Sequence, residues 1–199
     1  MGKGLVLGCL VLVLVGVLVL GGWAMGTYNR LNEADQRVTA AWAQVENQYQ
    51  RRMDLIPNVV ETVKGAASFE KETLEGVIKA RASATQVKVD ASTIKDPAVF
   101  EQFQKSQDQL SGALARLLVA VEKYPELKAV QGFRDLQVQL EGTENRIAVA
   151  RKDFNDVSLA YNTLRRSFPA VIVASFAGFK ERPYFKAAEG AATPPAVKF

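Results

Sequence analysis

The chain has 199 residues and a formal net charge of +4, and it contains one cysteine and no histidine. Without histidine, Ser-His-Asp and Cys-His catalysis, zinc sites of the His/Cys type and His-ligated haem are excluded within this chain. Enzyme chemistry would therefore have to use carboxylates, Lys, Ser or Tyr, and we expect no cofactor and no metal. Lys and Arg are interspersed with acids, which is typical of a solvated helical surface, so we expect no nucleic-acid partner.

The N-terminal stretch is strongly apolar. No charged side chain occurs from Gly4 to Asn29, and Leu5–Met25 consists mostly of Leu, Val and Gly. A helix over Leu5–Met25 would be about 31 Å long, close to the ~30 Å hydrocarbon core of a bilayer. Trp23 and Tyr28 stand at its far end, where amphipathic rings favour the headgroup level. We therefore predict that residues 1–29 form a transmembrane anchor.

Two alternatives compete with an uncleaved anchor. A secretory signal would also start with Lys3 and an apolar run, and Ala24-Met25-Gly26 resembles a small-residue cleavage site. The run is longer than the ~7–15 residues of a signal core, which disfavours this alternative. A lipoprotein is the second alternative, because Val6-Leu7-Gly8 precedes Cys9. Here the apolar run follows the cysteine, so we interpret Cys9 as a small apolar residue in the bilayer.

A long helical pattern follows the anchor. Apolar residues at alternating three- and four-residue steps, with Asp35 and Arg52 as polar members, predict a helix that packs lengthwise against others. No glycine separates Gly26 from Gly65, so anchor and helix are expected to continue with little break. Pro57 predicts a kink, and the sequence leaves open whether the chain reverses near Pro57 or near Gly65. The predicted seam comprises Leu31, Val38, Trp42, Val45, Tyr49, Ile56, Val59, Val63 and Ala66.

Two further helices are predicted before residue 125. One runs from Phe69 to about Ala84 with Ser68 as its N-cap. The next starts at Asp96-Pro97, with Asp96 as the cap and proline in the first turn. It ends before Tyr124-Pro125, because a residue that precedes proline disfavours the helical conformation. Its stripe is Phe100, Phe103, Leu110, Leu114, Leu117 and Val121, with Gln107 as the polar exception.

The fourth predicted helix has the most regular pattern, sustained over about five heptads. Its stripe is Phe133, Leu136, Leu140, Thr143, Ile147, Ala150, Phe154, Val157, Tyr161, Leu164 and Phe168. No strand pattern competes, so the predicted fold class is all-α: a single N-terminal transmembrane helix followed by an antiparallel four-helix bundle with long helices. The predicted boundaries are 1–29 for the anchor, 30–185 for the bundle and 186–199 for a disordered tail.

Arg52 is the main candidate for a functional charge, because it occupies a core-facing position. Either it meets a partner, or it pairs with a bundle acid such as Glu144, Asp153 or Asp54, which is the interpretation that we prefer. If it is buried and paired, its removal should cost ~3–5 kcal/mol. Acids on the fourth helix are interleaved with cations, which favours a solvated face over a metal site. Asparagines that follow aromatic residues, at Tyr28-Asn29, Phe154-Asn155 and Tyr161-Asn162, are expected to form interhelical hydrogen bonds.

Many apolar side chains gather after the fourth helix ends. They are Phe168, Val171, Ile172, Val173, Phe176, Phe179, Tyr184 and Phe185. A free segment of this kind would exceed the apolar patch that a soluble monomer normally exposes. It must therefore fold back on its own bundle, enter the membrane surface or pack against another copy, and the sequence leaves these three destinations open.

Several motifs resemble the bacterial LemA family. The resemblance runs in order from Tyr28 to Phe185, and its most specific part is the Arg-Arg-x-Asp-Leu-Ile-Pro-Asn run from Arg51 to Asn58. It implies one N-terminal membrane helix and a four-helix bundle, with a short N-terminus outside and the bundle in the cytoplasm. It supplies no catalytic residue. The structural or partner candidates are Trp42, Arg52, Asp54, Pro57, Asn58, Asn155, Tyr161, Asn162, Phe168, Phe176, Phe179, Tyr184 and Phe185.

These observations predict a membrane-anchored helical scaffold or adaptor of the bacterial envelope, single-pass in the inner membrane and without catalysis of its own. The nearest alternative is a regulatory binding module for a membrane protease. A carboxylate-based enzyme is the alternative from another class, and it would need two acids that converge in a pocket with perturbed pKa values. The expected partners are membrane lipid and an envelope protein, and a homo-oligomer stays open.

Overall fold

The structure is a computed structural model that describes residues 2–65, 69–87 and 90–186. Within these ranges the chain is helical and contains no β-strand, so the predicted all-α class is confirmed. A single 3₁₀ turn, Thr93–Lys95, accompanies the α-helices described there. The α-helices are α1 (Gly2–Lys64), α2 (Lys71–Gln86), α3 (Pro97–Val121), α4 (Pro125–Ala129), α5 (Gln131–Arg166) and α6 (Ala170–Ala177).

Helix α1 is one unbroken helix of 63 residues. At 1.5 Å per residue it is about 95 Å long, and it joins the predicted anchor to the first bundle helix, as the absence of glycine between residues 26 and 65 predicts. The helix continues through Pro57 and ends at Lys64, so the chain does not reverse at the proline. Pro57 is exposed, while Ile56 and Val59 beside it are buried and hold the helix against its neighbours.

The apolar part of α1 stands clear of the rest of the chain. No residue from Leu7 to Met25 is buried, and burial begins at Thr27 and Leu31. Among the described residues, α1 is the one helix whose length and composition would allow it to cross a membrane. The packed part of the helix therefore starts where the apolar run ends.

The predicted seam of α1 is buried along its whole described length. Its buried apolar members are Leu31, Val38, Trp42, Val45, Tyr49, Ile56, Val59 and Val63. Ala66 lies outside the described residues. The seam packs mainly on α5: Trp42 contacts Phe154, and farther along α1 Arg52 contacts Glu144. Along this contact, residue numbers on α5 therefore decrease as residue numbers on α1 increase.

The second helix differs from its prediction at its start. Helix α2 begins at Lys71 with Glu70 at the N-cap position, whereas Ser68 lies outside the described residues. The predicted start of α3 is confirmed, because the Asp96 side chain accepts hydrogen bonds from the backbone N–H groups of Ala98 (2.9 Å) and Val99 (3.4 Å). This cap satisfies donors that would otherwise lack partners in the first turn.

The short helix α4 was not predicted from the sequence. Tyr124-Pro125 was interpreted only as a stop signal, but Pro125 also occupies the first position of Pro125–Ala129. Proline suits that position, because its missing N–H group has no partner in a first turn. Leu127 of this helix is buried and packs at the far end of the core.

The stripe of α5 is buried or half-buried except at its last predicted position. Phe168 is 84% exposed, so the prediction that it continues the stripe is wrong. The reason is local: α5 ends at Arg166, and the chain turns before Pro169. The predicted tail, apart from Lys186, lies outside the described residues.

Candidate functional site

Arg52 lies inside the bundle, with 1% of its surface exposed. Its Nη1 donates hydrogen bonds to Ser111 Oγ (2.8 Å) and Glu144 Oε1 (2.7 Å), and its Nη2 donates to Gln107 Oε1. The guanidinium also lies 5.0 Å from the centre of the Tyr49 ring. Three helices thus supply the surroundings of one buried charge.

We name Arg52, Gln107, Ser111 and Glu144 the polar layer. It separates two apolar clusters. The cluster nearer the apolar end of α1 includes Trp42, Tyr49, Phe103, Ile147 and Phe154, and the farther one includes Ile56, Leu110, Leu117, Phe133 and Leu140. A polar group at one position of a helical seam fixes register, because sliding any helix would leave the buried charge against apolar neighbours.

The remaining residues of the Arg51–Asn58 motif do not join this layer. Asp54, Pro57 and Asn58 are exposed, and the Asp54 carboxylate accepts a hydrogen bond from Gln50 Nε2 at 2.8 Å. The motif therefore combines one buried arginine with a solvent-facing turn of α1. Glu144, rather than Asp54, pairs with Arg52.

Trp42 forms the centre of an aromatic cluster near the anchor. It is 1% exposed, and its indole Nε1 donates to the backbone carbonyl of Asp90 at 2.9 Å. This bond satisfies the polar end of a ring that is otherwise in apolar surroundings. Its ring lies 5.3–6.1 Å from those of Phe100, Phe103, Phe154 and Phe185.

Residues 180–186, which we name the C-terminal segment, lie along α5. The Asn162 side chain donates to the carbonyl of Arg182 (2.9 Å) and accepts from its N–H (3.0 Å). Asn155 makes the same paired contact with Phe185, at 3.1 and 2.9 Å. The two asparagines are seven residues apart, so they share one face of the helix. Each amide side chain therefore satisfies a backbone donor and acceptor of an extended segment.

Other side chains hold the same segment at its two ends. Tyr161 donates its hydroxyl proton to the carbonyl of Lys180 at 2.8 Å. At the other end, Gln104 of α3 donates to the carbonyl of Lys186 at 3.0 Å and accepts from its N–H at 3.4 Å. The hydroxyl oxygen of Tyr184 accepts a hydrogen bond from Asn162 (2.8 Å). The predicted role of the aromatic–Asn pairs is thus corrected, because Asn155 and Asn162 bind this segment rather than another helix, while Asn29 is exposed.

Arg182 is a second buried arginine, which the sequence analysis did not single out. It is 6% exposed, its Nε donates to Asp35 Oδ1 at 2.9 Å, and its Nη2 donates to the same oxygen. Nη1 donates to the carbonyl of Ile94 at 3.5 Å. The sequence did contain an indication of this ion pair. Asp35 occupies a core-facing position of the seam, and a carboxylate removed from water requires a cation beside it.

The apolar residues from 168 to 185 have two destinations. Phe185 is buried in the aromatic cluster, and Phe179 packs on Tyr28 with ring centres 5.6 Å apart. Phe168 and Phe176, by contrast, are 84% and 89% exposed. The region therefore folds back at its C-terminal end and leaves its first half uncovered.

A model of the LemA family matches residues 41–199. The chain belongs to the LemA family. Magnetosome protein MamQ 2 of Paramagnetospirillum magneticum is 23% identical over 213 residues, covering 98% of this chain and 77% of that protein. Protein LemA of Metamycoplasma hominis is 23% identical over 166 residues, covering 83% and 71%. MamQ of Magnetospirillum gryphiswaldense is 33% identical over 82 residues, covering 41% and 30%.

Several of the structural or partner candidates make interior contacts. Arg52 builds the polar layer, Trp42 centres the aromatic cluster, and Asn155 and Asn162 bind the C-terminal segment. Phe185 completes the same core. Within the described part of this LemA family chain, these residues connect α1, α3, α5 and the C-terminal segment to one another.

Glu46 is a carboxylate whose pKa is raised by its surroundings. Burial raises the pKa of Glu46, and the negative charge of Asp90 raises it further. Glu46 borders a groove of ≈ 230 Å³ that Tyr49 and Arg81 also line. Burial likewise raises the pKa of Tyr49, against the lowering effect of Arg151 and Arg52. No sequence pattern identified Glu46, because its pKa is raised first by burial in the folded chain and then by a neighbour 44 positions away.

A second groove of ≈ 390 Å³ lies between α1 and α5. Gln48, Asn145, Arg146 and Val149 are among its lining residues, and Val149 is 59% exposed. The Gln48 side-chain oxygen is buried there without a hydrogen-bond partner among the described residues. The groove therefore presents a cation and an apolar side chain together on the outer face of the two longest helices.

Proposed function

We propose that this LemA family chain is a membrane-anchored scaffold or adaptor of the bacterial envelope without catalysis of its own. In this proposal α1 crosses the inner membrane once, and the domain beyond residue 29 is an antiparallel four-helix bundle of α1, α2, α3 and α5. The bundle presents its outer face to an envelope protein. A regulatory module for a membrane protease is a special case of the same binding function.

The continuous helix α1 is the observation that carries the proposal. No loop separates the apolar segment from the buried seam that starts at Leu31. A partner bound near Arg52 would be held about 40 Å from Met25 along a helix that rises 1.5 Å per residue. A rigid tether of this kind sets the distance of a partner from the apolar segment, which is a property that a scaffold needs.

The placement of the polar groups also supports a binding role. Arg52 and Arg182 are engaged by side chains from other parts of the chain. The groove beside Val149 instead presents an exposed apolar side chain next to the exposed Arg146. A partner bound there would cover the apolar side chain and could pair with the cation.

The order of contacts supports the antiparallel arrangement. Along α1, Trp42 contacts Phe100 and Phe154, and Arg52 contacts Gln107 and Glu144. Residue numbers on α3 increase along the contact in the same direction as those on α1, whereas residue numbers on α5 decrease. Helix α2 packs mainly on α3, and Phe69, just before α2, packs on Tyr124, just after α3, with ring centres 5.0 Å apart.

The test combines membrane extraction with partner capture from native membranes. We expect the full chain to resist carbonate extraction, and we expect Val149→Arg to lose a cross-linked protein that the wild type captures. Val138→Arg is the matched control, because Val138 is also exposed on α5 (68%) and does not line the groove. A soluble chain trimmed after Gly26, or capture unchanged by Val149→Arg, would contradict the proposal.

Glu46 favours the carboxylate-enzyme alternative. A carboxyl group with a raised pKa holds its proton more readily and can serve as a general acid. The alternative requires a reaction that depends on Glu46 and on the neighbouring Asp90. A hydrolytic activity of the purified chain that Glu46→Gln abolishes without loss of folding would replace the scaffold proposal.

A further inference from the structure

Helix α6 turns its small side chains inward and its large apolar side chains outward. Ala170 and Ala174 are buried at 7% and 2%, whereas Ile172 and Phe176 are 46% and 89% exposed. No charged residue occurs from Ser167 to Phe179. A helix that faced water would show the reverse pattern. Its outer face, together with the 84% exposed Phe168, therefore requires an apolar cover.

The position of α6 next to the apolar segment of α1 indicates what covers its outer face. Helix α6 packs on both α1 and α5, and Phe179, which follows it directly, contacts Tyr28. Tyr28 is only three residues beyond Met25, so it lies about 4.5 Å past the apolar segment along the helix axis. The headgroup region of a bilayer extends roughly 5–8 Å beyond its hydrocarbon on each side. If the anchor spans the bilayer, α6 lies at the level of the headgroups.

The surrounding charge favours lipid over a second copy of the chain. Arg166 precedes α6, Lys180 follows it, and Arg30 lies two residues after Tyr28; all three are exposed and form no ion pair with a described residue. Arg165 is different, because it pairs with Glu181 at 3.0 Å. A symmetric contact between two copies would bring like charges together, whereas anionic headgroups would neutralise them.

We propose that the outer face of α6, with Phe168, Ile172 and Phe176, inserts into the bilayer interface next to the anchor and binds anionic lipid through Arg30, Arg166 and Lys180. This rests on the proposed membrane anchor and adds a second point of attachment. One helix alone would allow the bundle to rotate and tilt. Two points of attachment fix which face of the bundle is turned toward a partner.

The test places a fluorescent label at single cysteines of the full chain in vesicles of phosphatidylcholine with phosphatidylglycerol. The natural Cys9, in the apolar segment, reports on the anchor. In a Cys9→Ser background, Phe176→Cys reports on α6, and Val149→Cys is the matched exposed control. We expect lipid-borne quenchers to place the label at position 176 within ~5–10 Å of the headgroup boundary, with weak quenching by aqueous iodide. The label at position 149 should be quenched strongly by aqueous iodide and only weakly by the lipid-borne quenchers.

The outcomes separate the two proposals. If Cys9 is buried in lipid but position 176 is as accessible to iodide as position 149, the α6 proposal is wrong and the anchor stands. If neither Cys9 nor position 176 reaches lipid, both proposals are wrong. If protection at position 176 disappears when each vesicle holds one chain, a second copy covers α6 and the lipid proposal is wrong.

Discussion

Replacing Arg52 with alanine should destabilise the bundle by about 2–4 kcal/mol. The substitution leaves the Gln107 oxygen, on a side chain only 3% exposed, without its partner, which costs ~1–3 kcal/mol. Loss of the packed arginine stem contributes about another 1 kcal/mol. Glu144 adds little, because 42% of its side chain is exposed and water replaces the arginine. The expected loss is therefore about 1 kcal/mol smaller than the ~3–5 kcal/mol of a fully buried pair.

The measurement is urea unfolding of the full chain in detergent micelles. Fluorescence of the buried Trp42, in a Trp23→Phe background, reports on the core. Arg51→Ala is the matched control, because Arg51 is the exposed neighbour, and we expect its effect to stay within ~0.5 kcal/mol. The double change Arg52→Met with Gln107→Leu should recover most of the loss, since it removes both buried polar groups together.

One result would refute the register argument. If Arg52→Ala unfolds at the same urea concentration as Arg51→Ala, the polar layer contributes nothing to stability. If the same variant also fails to capture a partner that the wild type binds, Arg52 acts in recognition. The double variant would then unfold normally and still lack the partner.

Four further substitutions test other parts of the chain. Asn162→Ala should cost ~1–3 kcal/mol and speed amide exchange at Arg182, because it removes both halves of the paired backbone contact. In thermal unfolding, Phe185→Ala should lower the free energy of unfolding by about 3 kcal/mol. Phe176→Ala, at an exposed position, should change it by no more than ~0.5 kcal/mol. Glu46→Gln should be more stable than the wild type at pH 7, because a folded state that raises the pKa of a carboxyl is penalised when that carboxyl ionises. That difference should vanish as the pH falls below 4.5, the ordinary glutamate value, where Glu46 is protonated in both states.

The helical pattern predicted burial well because it depends on local geometry. Residues at three- and four-residue steps share one face of a helix, so the seams of α1, α3 and α5 follow from spacing alone. The prediction failed at Phe168 because periodicity does not show where a helix ends. A residue before proline is biased away from the helical conformation, and that rule should have removed Phe168 from the stripe.

The contacts of the C-terminal segment could not be predicted in the same way. Arg182 meets Asp35 across 147 positions of sequence, and no periodic pattern encodes that distance. The segment has no regular secondary structure, so its backbone needs external partners, which Asn155, Asn162 and Gln104 provide. The sequence marked the asparagines as polar residues beside the core but did not identify what they bind.

The two buried arginines make their contacts at two levels along α1, and the C-terminal segment supplies one of these arginines. Asp35 lies about 15 Å beyond Met25 along the helix axis, and Arg52 lies about 40 Å beyond it. Arg182 ties the segment to α1 at the first level, and the polar layer ties α3 and α5 to α1 at the second. A helix joined to its neighbours at two levels resists both sliding and rotation. A displacement of the apolar end of α1 would therefore be transmitted to the outer face of the domain, which is what the proposed scaffold requires.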